Sequence, residues 1–155
     1  MAQVQEPVRI LLSDIILHEN DSSTAITRDA VDVTPPAGGA AVKCGTLVFR
    51  AKGLDRKAPW SILTATTALK ANGVAGATEV AIFLGDAFSY ESETKLQAIK
   101  AGEPNAVVLA RDAVVASWVL EKVNVGILAT IETAYAQLQE AGIIVETSYG
   151  VRPTV

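Results

Sequence analysis

Short runs of β-branched and apolar residues, each bounded by Gly, Pro, Asn or Asp, dominate this chain, and a single stretch near the C-terminus follows the helical period instead. Val8 to Leu17 is an apolar run interrupted by Ser13 and Asp14, and Thr24 to Val33 alternates through Ala25, Ile26, Thr27 and Arg28 before Val31 and Val33. Both read as extended segments. Thr34-Pro35-Pro36-Ala37-Gly38-Gly39 then ends any regular element, because proline fixes φ and lacks a donor while glycine loosens the chain. The pattern predicts an extended N-terminal arm over residues 1–40, hinged at this turn to a body over residues 41–155.

Within the body the β signals are dense. Thr46 to Phe49 and Trp60 to Leu63 flank a polar loop, and Glu79 to Leu84 stops at Gly85-Asp86. Asn105 to Ala110 and Ala113 to Leu120 are two further strand-like runs, with Arg111-Asp112 at the spacing of a hairpin or a sharply bent ribbon. Lys95 to Lys100 reads equally as a short helix or an ordered loop. The helical stretch runs from Asn124 to Ala141: Ile127, Ile131, Ala134, Tyr135 and Leu138 share one face, Asn124 stands at the cap, and Gly142 occupies the position of a C′ glycine. Ile143 to Val145 reads as a last strand and Tyr149 to Val155 as a tail. The fold class expected is mainly β (α+β), a body of short strands with one C-terminal helix.

Composition sharpens this picture. Of the 155 residues, 50% are apolar and 19% charged, which excludes a disordered chain and leaves more apolar surface than one core needs, so self-association or a large partner is expected. The formal net charge of -4 gives no global attraction to phosphate backbones or anionic membranes. The longest uncharged stretch, Ala58 to Leu69, carries Pro, Ser and Thr and falls short of the about 20 apolar residues of a membrane span. The first residues show no secretory pattern, so synthesis in the cytosol is expected. Asn20-Asp21-Ser22 matches a glycosylation acceptor by chance alone.

The chemistry-bearing residues are few. One histidine, His18, and one cysteine, Cys44, exclude an intramolecular disulfide, a zinc finger and any mechanism needing two imidazoles. Cys44, in AVKCGTLVF, reads as a small buried hydrophobe. His18-Glu19-Asn20-Asp21 follows no metal-ligand spacing, and no nucleophile-elbow pattern exists to make a triad with His18. Asp86, Glu91 and Glu93 around Phe88 and Tyr90 read as a solvated loop rather than a glycosidase pair. Gly73-Val74-Ala75-Gly76 lacks the residues of a phosphate loop. The one basic cluster, Arg50, Lys52, Arg56 and Lys57 with Trp60 beyond it, suits an acidic protein surface better than nucleic acid. No enzyme activity, cofactor or metal is expected.

The order GTLVFRA, a Trp, VAIFLGDAF, the ribbon NAVVLARDAVVASWVL and a helix ending LQEAGIIV resembles the head decoration (capsid cement) proteins of tailed bacteriophages, the lambda gpD-like family, over roughly Cys44 to Val145. The resemblance implies a β-clip-like body, a homo-oligomer that is typically a trimer, and binding to the major capsid protein on the outside of the expanded head, so that the mature location is the virion surface. It carries no catalytic motif. Residues 1–40 are longer and more strand-like than the arm of the smallest members, and Ser89 to Pro104 enlarges the middle of the fold. On this reading the arm residues Val8, Ile10, Leu12, Ile15, Ile26 and Val31 contact the capsid, and Arg50, Lys52, Arg56 and Lys57 form a basic contact loop. The alternative is a small phage tail or host-surface binding module without enzymatic activity.

Overall fold

The computed structural model describes residues 11–19, 27–55, 57–64, 69, 78–86, 93–97 and 99–147. In chain order the elements are α1 (Leu12–Ile15), β1 (Ile16–Glu19), β2 (Arg28–Val31), a 3-10 turn (Ala37–Gly39), β3 (Val42–Lys43), β4 (Leu47–Ala51), β5 (Ser61–Ile62), β6 (Thr78–Asp86), β7 (Glu93–Thr94), β8 (Ala106–Leu109), β9 (Ala113–Ala116), α2 (Ser117–Val123), a 3-10 segment (Val125–Thr130), α3 (Ile131–Glu140) and β10 (Ile143–Glu146). The architecture is mixed α+β and strand-rich, with a C-terminal helix and several sheets.

An antiparallel five-stranded sheet in the order β2-β8-β6-β4-β5 is the scaffold. Its central strand β6 is buried at every position from Val80 to Gly85, which is why its sequence is a continuous apolar run rather than an alternation: both faces are covered. On one face Leu47, Val80, Ile82, Leu84 and Leu109 pack against α2, α3 and a three-stranded sheet. On the other, Val48, Ala81, Phe83 and Val108 lie under Val31, Val33, Val42, Trp60 and Leu96, which form a second, smaller core. The three-stranded sheet has the order β1-β9-β10, with β1 antiparallel and β10 parallel to β9. A two-stranded ladder, β3-β7, completes the set.

Two stretches of the segment expected to be a detachable arm, β1 and β2, are built into these sheets. β1 pairs with β9 and β2 with β8, and Ile15, Val31 and Val33 are 0%, 6% and 0% exposed. Ile15, Val31 and Val33 are satisfied by the chain's own cores, whereas Leu11 and Leu17 stay exposed.

Three local readings also change. Of the two alternatives for Asn105 to Leu120, the hairpin gives way to the bent ribbon: β8 and β9 belong to different sheets, joined through Asp112, which takes φ 53°. The second run leaves extended geometry at Ser117, where Ala116, Leu120 and Asn124 fall on one buried face at helical spacing. Between Asn124 and Thr130 the chain is 3-10, and only from Ile131 is it α-helical. The expected apolar face of Ile127, Ile131, Ala134, Tyr135 and Leu138 is buried. Gly142, at φ 81°, closes the helix as its C′ residue and donates to the Gln139 carbonyl at 3.0 Å. The described residues between Lys95 and Lys100 are loop.

Candidate functional site

Of the expected basic loop, Arg50 and Lys57 border one hollow, while Lys52 turns to the C-terminal helix. Arg50 lies on β4 opposite Glu79 of β6, and its Nε donates to the Glu79 carboxylate. Its Nη1 donates to the Ala58 carbonyl at 3.2 Å, and the guanidinium carbon sits 4.5 Å from the centroid of the Trp60 ring. Lys52 pairs with Glu140 at the end of α3. Lys57 is exposed and, with Arg28, Asp32 and Gly102, lines a hollow of about 330 Å³. Arg56 lies outside the described residues. Arg50 and Lys52 are thus engaged by carboxylates of their own fold.

Further ion pairs brace the junction of the sheets. Arg28 of β2 pairs with Glu19 of β1, its Nε donating to Oε2 at 3.1 Å, and the Thr27 hydroxyl donates to the same oxygen. The Arg28 guanidinium holds the Glu19 carboxyl below the ordinary carboxylate range, against the opposing effect of burial. Asp29 of β2 pairs with Arg111, whose Nη1 donates to Oδ1 at 3.2 Å.

Of the expected capsid contacts, Ile15 and Val31 are buried core residues, and Leu12 is half-buried against the main core. Val8, Ile10 and Ile26 lie outside the described residues, as do most of the Asp86 to Glu93 loop, Gly73 to Gly76 and the tail. Cys44 is buried, as expected, and burial pushes its thiol up to about 11. His18 is exposed. Among the described residues no group of three or more His, Cys, Asp or Glu side chains is placed to hold a metal ion, and no helix is long and apolar enough to cross a membrane.

Two features suit docking. First, β1 and β10 are the outer strands of the three-stranded sheet, and each carries a large exposed apolar side chain, Leu17 at 47% and Ile144 at 58% exposure. Second, the edge strand β5 borders a cleft of about 440 Å³ lined by Pro35, Pro36, Val42, Lys43, Ile62 and Val123 among others. The cleft exists because the chain leaves the sheet there: Val33 bridges Trp60 in parallel, and the prolines then divert it.

Two buried asparagines set this geometry, and residue type alone did not single them out. Asn105 accepts from the Val33 N–H at 2.8 Å and donates to the Val33 and Gln97 carbonyls at 2.8 and 3.2 Å. Asn124 accepts from the Leu47 N–H at 3.0 Å and donates to the Gly45 and Leu120 carbonyls at 3.0 and 2.8 Å. The asparagine that the sequence suggested as a helix cap instead pins α2 to the start of β4. Each sits beside a strand-like run, a position at which Asn is otherwise disfavoured, and that was the available signal.

Comparison with family models, with curated proteins and with solved structures finds no match for this chain.

Proposed function

We propose that this chain is a structural virion protein of a tailed phage, a homo-oligomer that binds the major capsid protein on the outside of the expanded head and stabilises that lattice. The observation that carries the reading is the pair of open strands β1 and β10, which among the described residues end the three-stranded sheet and present Leu17 and Ile144 to solvent. Edge strands with exposed apolar side chains are liabilities in an isolated monomer and assets in a protein that works by covering its neighbours. The order of sequence motifs supports the same reading, including the strand Thr78–Asp86 and the C-terminal helix followed by a short strand.

Cementing is linkage: a ligand that binds only the expanded lattice stabilises each site by RT ln(1 + [L]/Kd), about 2.7 kcal/mol at a hundredfold excess over Kd. The test mixes purified protein with expanded empty heads that lack their decoration protein, and images the particles. Density at the junctions between capsid subunits, absent from unexpanded heads, is the expected result. Unlabelled heads together with density on tails, or with saturable binding to host-surface glycan, would replace the proposal with the tail or host-binding reading.

A further inference from the structure

The cleft beside β5 has unused backbone hydrogen-bonding groups in one wall. In an antiparallel pair, alternate residues turn both backbone groups toward the partner strand. Leu63 donates to the Leu47 carbonyl at 2.9 Å, so Leu63 and Ser61 face β4 while Trp60 and Ile62 face the other way. The groups of Trp60 are used: its N–H donates to the Asp32 carbonyl at 2.8 Å, and its carbonyl accepts from the Thr34 N–H at 2.9 Å. One more step of this parallel ladder would require the Ile62 carbonyl to accept from the nitrogen of residue 36. Residue 36 is proline and has no N–H, and the chain turns away into the 3-10 turn Ala37–Gly39. The Ile62 N–H and carbonyl are left facing an apolar cleft, without a backbone bond to the diverging segment.

We propose that this cleft is an acceptor for an extended peptide strand of another protein, added alongside β5, with β-branched side chains at alternate positions and a carboxylate beside Lys43. The backbone groups of Ile62 supply the pairing, and Pro35, Pro36, Val42 and Val123 supply apolar walls for every second side chain. Lys43 is the one ionisable side chain among the cleft's described lining, and it forms no ion pair among the described residues although Glu93 lies opposite it in register. Its ammonium therefore selects an acidic strand over a basic one. The inference goes beyond the decoration reading, since a strand acceptor works whether or not the chain sits on a head.

The test titrates isotope-labelled full-length protein with the peptide acetyl-Thr-Val-Thr-Val-Glu-Val-Thr-amide and follows backbone amides by NMR. Shifts at Thr34, Val42, Thr46 and Ile62 are expected, with exchange of the Ile62 amide slowed at least about tenfold on saturation. Ile62→Pro removes the outward N–H without touching the bonds to β4 and should weaken binding at least about tenfold. Lys43→Glu should weaken it as well, while Lys43→Arg retains it. If Ile62→Pro does not fold, the Lys43 pair and the wild-type Ile62 exchange rate still decide. An Ile62 amide unmoved at millimolar peptide, or affinity indifferent to both Lys43 changes, overturns the proposal. Shifts at these residues that follow protein concentration without peptide overturn it too, because a second copy is then the occupant.

Discussion

Asn105 and Asn124 each bond backbone groups at the margin of a ladder: Asn105 those of Val33, and Asn124 the Leu47 N–H and the Gly45 carbonyl. Replacing Asn105 by alanine strands the buried N–H and carbonyl of Val33 and is expected to cost roughly 1–3 kcal/mol, read as a lower denaturation midpoint with the slope unchanged. Cys44 gives a second check at this scale. With its thiol pushed up to about 11 by burial, it should stay unmodified by a thiol reagent at pH 8 until denaturant unfolds the chain. Rapid labelling of the native protein would show that the Cys44 pocket opens. The fate of Cys44 was legible in AVKCGTLVF because its apolar neighbours announce a core. The asparagines' roles were not, because a side chain's hydrogen-bond partners are chosen by parts of the chain distant in sequence.

At the scale of elements, local periodicity located β4, β6, β8, the C-terminal helix and β10, each bounded by Gly, Asn, Asp or Pro. It did not reveal which sheet each strand joins. Val31 and Val33 show the same alternation whether their apolar side chains meet a partner protein or the chain's own second core, so residues 1–40 read as an arm although β1 and β2 within them pair with β9 and β8. The stop expected at Thr34–Gly39 follows the parallel bridge between Val33 and Trp60. Deleting Met1 to Thr34 is therefore expected to abolish cooperative thermal unfolding, since it removes Ile15, Val31 and Val33 from the cores; a truncated chain with a sharp transition would restore the independent arm. The same junction has a pH signature. The Glu19 carboxyl is depressed by Arg28, so its contribution is present above the ordinary carboxylate range and is lost as pH falls through the depressed value. Glu19→Gln should cost up to about 1 kcal/mol at neutral pH, and the gap between variant and wild type should close on acidification.

Across the whole molecule, one sheet covered on both faces explains the high apolar content better than surplus sticky surface does. Half of the chain is apolar because two cores share β6 and its neighbours. Ile131, 3% exposed in the larger core, reports on this arrangement: Ile131→Asp should lose several kcal/mol, by burying an unpaired charge, and a near-wild-type melting temperature would place that face outside the core. Among the described residues Leu17 and Ile144 are exposed on the edge strands β1 and β10, while Leu11, Leu54, Ile99, Val125 and Leu128 are exposed elsewhere; the edge strands are the surfaces proposed for a partner. Chelator treatment is expected to leave partner binding unchanged at neutral pH, because among the described residues no group of three or more His, Cys, Asp or Glu side chains is placed to hold a metal ion. The most direct measurement is the temperature at which expanded heads lacking their decoration protein rupture, recorded with increasing amounts of the purified chain. A saturable rise in that temperature, reduced by Ile144→Asp in a variant that melts like wild type, is expected. A rupture temperature that does not move at saturating protein would contradict the proposal that this chain holds a capsid lattice together.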